Sequence, residues 1–427
     1  MLELNFIRNN KERLLEGLKT RNAYEEGAEL VEKVIAFDDE RKKLQTQLDQ
    51  SLSERNRLSK EIGMLYKQGK REEADQLKQE VSNLKSDYES VEEKLKEVSQ
   101  QVADILLKLP NVPHPSVPSG NTDEDNEVFQ AYEGELPVLP DDALPHWELA
   151  EKYNLFDLKL GTKITGSGFP LYRGKGARLE RALINFFLDE AHKAGYEEIM
   201  PPLMVNEDTA RATGQLPDKE GQMYYIEKDD LYMIPTAEVP LTNIYRDVIL
   251  DEKDFPIKLT GFTPCFRREA GSYGAHVRGL NRVHQFNKVE IVQIQHPEKS
   301  YDTLQEMLKH VANLLDKLEL PYRILRLCGG DLGFTSALTF DFEVYSAAQK
   351  RWLEVSSVSN FETYQSNRLK LRFRSPESKK TQLAHTLNGS ALALARIVAS
   401  LLENHQTADG IVLPAAIRDY AGFEKID

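Results

Sequence analysis

Residues 263–290 read TPCFRREAGSYGAHVRGLNRVHQFNKVE, and they predict two strands joined by a long, glycine-bearing loop. The first strand leads into Arg267, and the loop shows no apolar periodicity. Side chains of the return strand alternate between two faces, so Phe286 and Glu290 share one face. A solvated hairpin needs no such combination of arginines, aromatic ring and carboxylates. The stretch therefore predicts a pocket for a substrate that carries phosphate and an amine.

Composition sets the broad class of the protein. The chain has 427 residues, of which 29% are charged and 40% hydrophobic, which is typical of a soluble protein of two or three domains. No run of 18 apolar residues occurs and the N-terminus lacks a signal-peptide core, so we expect a cytoplasmic protein without a membrane span. Cys265 and Cys328 lack CxxC spacing, so we expect buried free thiols in a reducing compartment.

A heptad repeat defines the N-terminal domain, predicted over residues 1–108. From Leu77 to Ile105 apolar residues alternate steps of three and four without a break. A compatible repeat precedes it, and Gly69 marks a turn between the two. Two helices of about 30 residues each would form an antiparallel coiled-coil arm over about 28–106, roughly 45–60 Å long.

Basic residues concentrate on the first helix and the tip of this arm. The net charge of −14 argues against a nucleic-acid partner, yet nine Lys/Arg face only three Asp/Glu between positions 41 and 71. The candidates for contacts with phosphates are Arg41, Lys42, Arg55, Arg57, Lys60, Lys67, Lys70 and Arg71. Two interpretations stay open: a solvated spacer or dimerisation coil, and an arm that grips a polyanion.

A proline-rich interval at 109–140 predicts a semi-rigid linker, and residues 141–427 predict the catalytic domain. The mixed order of helical and strand patterns in that domain favours an α+β fold with an antiparallel sheet. It lacks GxGxxG and GxxxxGK[ST] motifs, which argues against Rossmann and P-loop nucleotide sites.

The segment NGSALALARIVASLLENHQ predicts a final buried helix that is apolar nearly all round from Ala391 to Leu402, with Arg396 as the exception. A buried guanidinium needs an anion, which would be a ligand or a structural ion-pair partner. The preceding Asn388-Gly389-Ser390 would present free N–H groups to an anion or polar ligand, or Ser390 would serve as an ordinary N-cap.

Several carboxylates have both an ordinary and a functional interpretation. Glu354 lies in a serine-rich strand that is either an exposed polar face or a Mg²⁺ site shared with phosphates. Glu238 either begins a helix or binds a ligand. Glu290 would pair with a neighbouring arginine, and Arg267 with Glu269, if no ligand were involved. One anionic, metal-bound, amine-bearing ligand would satisfy all these groups together.

The chain resembles the bacterial seryl-tRNA synthetases, class II aminoacyl-tRNA synthetases, over essentially its whole length. FPLYRGKGARLERAL…IMPPLMV is similar to the first class II motif, with Pro202 as its interface proline. The stretch at 263–290 is similar to the second motif, and NGSALALAR, ending in Arg396, to the third. TAEVPLTN, LEVSSVSN, the two-helix arm and LPNVPHPSVP are more specific to the seryl family.

The resemblance implies a class II antiparallel sheet flanked by helices, and a homodimer whose coiled-coil arm reaches the long variable arm of tRNA-Ser. It also implies that L-serine and Mg·ATP give seryl-adenylate, from which serine passes to the tRNA. Selenocysteine tRNA is an expected second acceptor. The glycine-bearing loop is the part expected to move when the tRNA 3′ end arrives.

The resemblance also implies roles for individual residues. Arg267, Glu269 and Arg396 are the implied catalytic residues. The implied ATP contacts are Arg267, Arg268, Glu269, Val283 (through its backbone), Phe286 (stacked on adenine), Glu354, Val355, Ser356, Ser357 and Arg396. Glu354 and Ser357 would hold Mg²⁺. The implied serine contacts are Thr236, Ala237, Glu238, Arg267, Glu290, Asn388 and Ser390, without an assignment of each glutamate to the ammonium or the hydroxyl.

Some positions depart from the family pattern, namely Leu338, Val358 and Ser366-Asn367, but none is assigned to substrate. Two other functions remain as alternatives. A synthetase-like enzyme that charges a non-tRNA acceptor would be expected to lack the arm. A non-catalytic coiled-coil interaction protein would be expected to have lost Arg267, Glu269 or Arg396, and the chain has all three.

Overall fold

The computed structural model describes residues 1–218, 221–269, 278–378 and 380–427, and for residues 86 and 87 it describes the backbone only. The glycine-bearing loop predicted between the two strands falls largely at 270–277, outside the described residues. Two compact units divide the chain: Met1–Lys19 with Ala23–Pro110, and Thr20–Asn22 with Asn111–Asp427. No helix of the described residues is long and apolar enough to cross a membrane.

The first unit is helical. Its helices are α1 (Leu4–Asn9), α2 (Lys11–Thr20), α3 (Tyr24–Lys67) and α4 (Arg71–Lys108). Arg55 of α3 contacts Tyr88 of α4, and Tyr66 contacts Asp75 next to the turn, so the two long helices run antiparallel. Gly69 occupies this turn with φ of +79°, a backbone conformation that favours glycine.

The predicted arm is confirmed as a pair of long helices, but its expected helix length of about 30 residues was too short. α3 has 44 residues and α4 has 38. The heptad residues Val98, Val102 and Ile105 are buried, whereas Leu77 near the turn is only half-buried. The helices were predicted too short because some heptad positions at the contact between the helices are not apolar. The apolar pattern alone cannot show that a helix continues through such positions.

The second unit combines helices with one large sheet. Its helices are α5 (His146–Tyr153), α6 (Leu158–Ile164), α7 (Gly174–Lys193), α8 (Glu207–Thr213), α9 (Glu238–Asn243), α10 (Ser300–Lys317), α11 (Tyr364–Leu369), α12 (Leu394–Asn404) and α13 (Ala415–Ala421). Short 3₁₀ turns lie at Asp123–Asp125, Glu252–Asp254 and Pro297–Lys299.

The strands, in chain order, are β1 (Glu127–Gln130), β2 (Phe156–Asp157), β3 (Leu171–Tyr172), β4 (Glu197–Glu198), β5 (Met204–Val205), β6 (Tyr225–Ile226), β7 (Leu231–Met233), β8 (Ile249–Asp251), β9 (Ile257–Phe266), β10 (Gln285–Gln295), β11 (Tyr322–Arg326), β12 (Leu338–Ser346), β13 (Arg351–Asn360), β14 (Arg372–Arg374), β15 (Thr381–Leu383), β16 (His385–Ala393), β17 (Gln406–Thr407), β18 (Gly410–Val412) and β19 (Lys425–Ile426).

The main sheet has the order β1-β11-β12-β13-β16-β10-β9-β4. Its pairs are antiparallel except β4 with β9, which is parallel. Helices α7, α10 and α12 pack against the sheet, and the apolar side chains of α7 are buried, including Leu183 and Phe187. The predicted α+β class with an antiparallel sheet flanked by helices is confirmed.

The interval 109–140 is predicted as a semi-rigid linker, but from Asn111 onward it belongs to the second unit. Asn111 donates its side-chain amide to the carbonyls of Thr335 and Phe361, and β1 pairs with β11 as a strand of the main sheet. The second unit therefore begins near Asn111 rather than at residue 141. Proline content predicts a semi-rigid segment, but it carries no information about whether that segment packs against a sheet.

Two other local predictions need correction. The stretch before Pro201-Pro202 predicts a strand that runs up to the prolines, but the strand is limited to β4, which ends at Glu198. The final helix begins at Leu394, so Asn388-Gly389-Ser390 lies within β16, and the interpretations of Ser390 as an N-cap or helix N-terminus are wrong. A short apolar run such as ALALA has no periodicity that separates a buried strand from a buried helix.

Candidate active site

The hairpin β9–β10 supports one side of the candidate site. Phe286 stands opposite Cys265, and the Arg267 backbone N–H, just beyond the end of β9, donates to the His284 carbonyl over 2.9 Å. The Arg267 guanidinium lies over the Phe286 ring, 5.4 Å from its centroid. The predicted cation and aromatic ring are therefore adjacent. Because Arg267 covers one face of the ring, a stacked base would use the other face or displace the guanidinium.

Glu269 and Arg268 follow Arg267 and take different directions. Glu269 has φ of +49° and forms an ion pair with Arg282 across the hairpin, so it does not pair with Arg267 as its alternative interpretation expected. Its backbone N–H donates to the Gln222 side chain over 3.1 Å. Arg268 is exposed and lies over the Tyr224 ring, away from Phe286.

A buried cluster of opposite charges lies further along β10. Glu290 is 1% exposed and contacts Lys288 Nζ over 2.5 Å, and Lys288 is itself buried. The Thr236 hydroxyl donates to the same carboxylate over 3.3 Å. The partner of Glu290 is therefore a lysine two positions back on its own strand, not the arginine expected from sequence. Both charges sit in a low-dielectric surrounding, where each strongly affects the other.

Glu238 is the second buried carboxylate of this cluster, at the first position of α9. Burial and the nearby Glu290 carboxylate raise the pKa of Glu238 to about 7, although Gln365 and Asn388 donate hydrogen bonds to it. The Gln365 bond is 2.7 Å long. Two carboxylates in one pocket, with Lys288 paired to Glu290, leave a deficit of positive charge that an ammonium group would fill.

Strand β16 brings the third motif beside β10. Ser390 stands opposite Glu290, and Asn388 stands opposite Val292. The Ser356 hydroxyl of β13 donates to the Ser390 carbonyl over 2.6 Å. Ser390 and Asn388 thus reach the carboxylate cluster from a central strand, and this replaces the helix N-terminus that the sequence predicted.

Arg396 bridges two elements of the site. Its Nε donates to the Asn281 carbonyl over 2.9 Å, and its Nη1 donates to the Glu354 carbonyl over 2.6 Å and lies 3.4 Å from Glu354 Oε2. The Arg396 side chain is 29% exposed, so the expectation of a fully buried guanidinium is wrong. The structural ion pair considered for Arg396 is present in the structure, and its partner is Glu354, the predicted metal ligand.

Glu354, Ser357 and Asp341 form an oxygen-rich group across β12 and β13. Asp341 stands opposite Ser357, which donates a hydrogen bond to it. Burial and the nearby Glu354 raise the pKa of Asp341 well above its usual range, and its buried Oδ1 has no hydrogen-bond partner among the residues that the structure describes. The Glu354 side chain is 50% exposed. Hard oxygen donors with one unsatisfied carboxylate oxygen fit Mg²⁺ completed by phosphates and water.

Four of the remaining candidates have buried side chains: Val283, Val355, Ser356 and Ala237. Ser356 uses its hydroxyl to join β13 to β16. Contacts from these residues to a ligand would therefore come from the backbone.

Lys288, Gln365 and Asp341 belong to the site but were missed in the sequence. Lys288 had a usable signal, because it shares a strand face with Phe286 and Glu290, and that face continues with the apolar residues Val292 and Ile294. Gln365 and Asp341 had none, because α11 and β12 reach the pocket only through the tertiary fold.

On the arm, acidic neighbours already pair with half of the predicted phosphate contacts. Burial would raise the pKa of Asp38, but hydrogen bonds from Lys42, Arg41 and Arg8 lower it to about 2. Arg57 pairs with Glu54 and Glu61, and Lys70 pairs with Glu73. Arg55 lies over the Tyr88 ring. Lys60, Lys67 and Arg71 are exposed and have no ion-pair partner among the side chains described.

Two family models match the chain. Residues 224–405 match the class II tRNA synthetase core domain (G, H, P, S and T), and residues 1–113 match the seryl-tRNA synthetase N-terminal domain. The first range contains the hairpin, the carboxylate cluster and Arg396, and the second contains the helical arm.

Whole-chain relatives agree with both models. A serine–tRNA ligase from Salinibacter ruber is 50% identical and covers 100% of this chain and 99% of its own length. One from Chlorobium phaeobacteroides is 45% identical with 100% coverage of both. The crystal structure of seryl-tRNA synthetase from Pyrococcus horikoshii complexed with ATP matches with a TM-score of 0.91 and 32% identity, over 100% of this chain and 99% of that chain. The chain therefore belongs to the seryl-tRNA synthetase family and is an enzyme of the class II aminoacyl-tRNA synthetases.

Proposed function

We propose that this enzyme ligates L-serine to tRNA-Ser in two steps, through seryl-adenylate. The observation that carries the proposal is the buried cluster of Glu238, Glu290 and Lys288 next to Arg267 and Phe286. The cluster suits a small substrate with an ammonium and a hydroxyl group, and the hairpin suits a nucleotide. ATP is the second substrate of the first step.

In the first step the serine carboxylate attacks the α-phosphorus of ATP, the bond to the β-phosphate oxygen breaks, and pyrophosphate leaves. Arg267 holds the α-phosphate and stabilises the charge that develops on it. Phe286 stacks on adenine. Arg396 binds the nucleotide from the opposite side, at the γ-phosphate or the second face of the base, and Glu269 contacts the nucleotide from beyond β9.

Mg²⁺ would be held by Glu354 and Ser357, and would neutralise part of the phosphate charge. The unsatisfied Oδ1 of Asp341 and the half-exposed Glu354 carboxylate support this assignment. The Arg396 guanidinium donates to both the backbone carbonyl and the carboxylate of Glu354. Arg396 would therefore fix the direction in which the Glu354 carboxylate faces the phosphates.

Serine is read by Thr236, Glu238, Glu290, Asn388 and Ser390. One carboxylate accepts from the ammonium and the other accepts from the hydroxyl. A buried acceptor left without a partner is costly, so the same arrangement rejects alanine. Lys288 keeps the pair of carboxylates from carrying two uncompensated negative charges.

In the second step the seryl group passes to the tRNA 3′ end, and the arm binds the tRNA. The exposed Lys60, Lys67 and Arg71 are the strongest candidates for contacts with phosphates. Selenocysteine tRNA is the proposed second acceptor. Because tRNA and ATP are its substrates, we propose that the enzyme works in the cytoplasm.

A homodimer is part of the proposal. The segment IMPPLM carries exposed apolar side chains, with Met200 90% exposed and Met204 48% exposed. Pro202 lies between them. Contiguous exposed apolar residues mark interaction surfaces. This patch falls in the first class II motif, so a second copy of the chain is its proposed partner.

Serine-dependent exchange of pyrophosphate into ATP, followed by charging of tRNA-Ser, tests the function. We expect exchange with serine, none with alanine, and charging of the tRNA. Absence of exchange would contradict the enzymatic proposal. Exchange without charging would favour a synthetase-like enzyme with another acceptor, although the complete arm argues against that alternative.

A further inference from the structure

His146 and Glu403 form a fully buried pair outside the proposed substrate contacts. Both side chains are 0% exposed, and His146 Nδ1 lies 2.6 Å from Glu403 Oε1. His146 begins α5 and Glu403 lies in the last turn of α12. Burial of a carboxylate is costly unless its partners have favourable geometry, so the pair needs a structural or functional reason.

The other ring nitrogen of His146 contacts the part of the second class II motif that leads back into β10. We call this part, residues 278–284, the return limb. The Leu280 backbone N–H donates to His146 Nε2 over 2.8 Å. A backbone N–H can only donate, so Nε2 accepts and the Nδ1 proton is donated to Glu403. The imidazole thus links the return limb to α12 through its two nitrogens.

The ring also limits the conformations of the return limb. Gly279 has φ of +73°, and a Cβ placed there would lie 2.1 Å from His146 Nε2. Only glycine allows both this backbone conformation and the close approach of the ring. On the neighbouring residue of α5, the Trp147 ring lies 4.7 Å from the Arg278 guanidinium. The start of α5 therefore contacts three successive residues of the limb.

A second set of hydrogen bonds connects Glu403 to the limb and then to Arg396. The Gln349 amide donates to Glu403 Oε1 over 3.0 Å, and the Asn281 amide donates to Gln349 Oε1 over 2.9 Å. The Asn281 carbonyl accepts from Arg396 Nε. One hydrogen-bond partner of Arg396, the Asn281 carbonyl, therefore lies on the return limb. This limb is bound by His146 directly and by Glu403 through Gln349.

We propose that His146 is a positioning residue for the nucleotide site. It acts with Glu403 to fix the return limb, so that the Asn281 carbonyl orients the Arg396 guanidinium before ATP binds. This inference rests on the ATP role proposed above for Arg396. It adds residues that touch no substrate and that lie on α5, outside the three class II motifs.

Two conservative variants separate positioning from a general contribution to stability. His146→Gln can keep an acceptor for the Leu280 N–H and loses the donor to Glu403. His146→Asn can keep the donor to Glu403 and loses the acceptor for Leu280. His385→Ala is the matched control, because His385 is also a buried histidine, and its Nδ1 lies 2.7 Å from the Ser300 hydroxyl, away from Glu403, Gln349 and the limb.

We expect His146→Ala and His146→Asn to weaken ATP binding by about tenfold in titration calorimetry, with serine affinity unchanged within about twofold. His146→Gln should restore most of the ATP affinity. His385→Ala should also lower the melting temperature, and it should leave the Kd for ATP unchanged. Melting curves identify any variant that does not fold. If His146→Ala does not fold, the comparison of ATP binding by His146→Asn and His146→Gln tests the proposal.

The proposal is overturned if folded His146→Asn binds ATP like the unchanged protein, or if ATP and serine affinities fall together in every variant. Arg396→Ala is measured beside them. If this variant binds ATP normally, the proposed role of Arg396 is wrong and the positioning role falls with it. If the unchanged enzyme shows no serine-dependent exchange, the proposed function itself fails, which is a separate result.

Discussion

Charged side chains serve the pocket and the arm in opposite ways. In the pocket, Glu238, Glu290 and Lys288 are buried, and each has a partner with fixed geometry. On the arm, Arg57 and Lys70 are exposed and pair with acidic residues one turn away. The same residue types therefore occur in two different dielectric surroundings within one chain.

This difference predicts how each region responds to substitution. Buried charges interact strongly and leave a costly unpaired group when one partner is removed. Exposed charges are screened by salt, and each contributes little, so their effects become large only when many act on one polyanion. The pocket should be sensitive to single substitutions, and the arm should be sensitive to deletion or to ionic strength.

The largest effect is expected for Arg267→Ala. Removing a cation at the α-phosphate should lower the rate of pyrophosphate exchange roughly 100- to 1000-fold. Arg326→Ala is the matched control, because Arg326 forms an ion pair with Glu127 at the edge of the sheet, far from the hairpin in sheet order. Equal rates for the two variants would refute the role of Arg267.

Glu290→Ala should be nearly as severe, but only for serine. Loss of the carboxylate leaves Lys288 buried without its partner and removes a serine acceptor, so kcat/KM for serine should fall roughly 100-fold. The KM for ATP should stay within about threefold. Glu290→Gln keeps the volume and an acceptor for Lys288, and it controls for misfolding. A defect confined to ATP would contradict the assignment.

Serine binding should depend on pH through Glu238. The pKa of this carboxyl is raised to about 7, so it is protonated below that pH and ionised above it. Because serine brings an ammonium, its binding favours the carboxylate, and affinity should rise about tenfold from pH 6 to pH 8. Calorimetric titration of Glu238→Gln should give weaker binding that no longer changes over this range. An unchanged profile in that variant would assign the titration to another group.

The smallest effect is expected on the arm. Lys60→Gln should raise the KM for tRNA two- to fivefold and reduce the slope of log KM against log salt by about one. Lys94→Gln on α4 removes the same charge from an exposed position outside the predicted contacts and should change neither. Charging kinetics at several salt concentrations measure both. Identical behaviour of the two variants would leave no special role for Lys60.

The same contrast explains what could be predicted from the sequence. The arm follows from a heptad that is local and repeats over many residues, and β12 and β13 follow from TFDFEVYSA and RWLEVSSVSN, two alternating stretches around a short link at 347–350. These elements needed only neighbouring residues. The strand at Asn388–Ser390 was predicted as a helix start, because an apolar run fits either a buried strand or a buried helix.

The pocket itself was only partly predictable. Glu238, Glu290 and Ser390 could be named because the motifs that carry them are recognisable in sequence. Gln365 contacts Glu238 from a position 127 residues further along the chain, and no local pattern connects the two. Partners that meet only through the tertiary fold leave no periodic signal, so the charge balance of the site required the structure.

We propose that the pocket alone activates serine and that the arm alone confers use of tRNA. Replacing residues 35–100 with a short turn tests this most directly, by measuring serine-dependent pyrophosphate exchange and tRNA-Ser charging on the same preparation. We expect exchange within about twofold of the complete enzyme and charging reduced at least 100-fold, as expected when many phosphate contacts are lost together. Charging that survives the deletion, or exchange that is lost with it in a folded protein, would contradict the account.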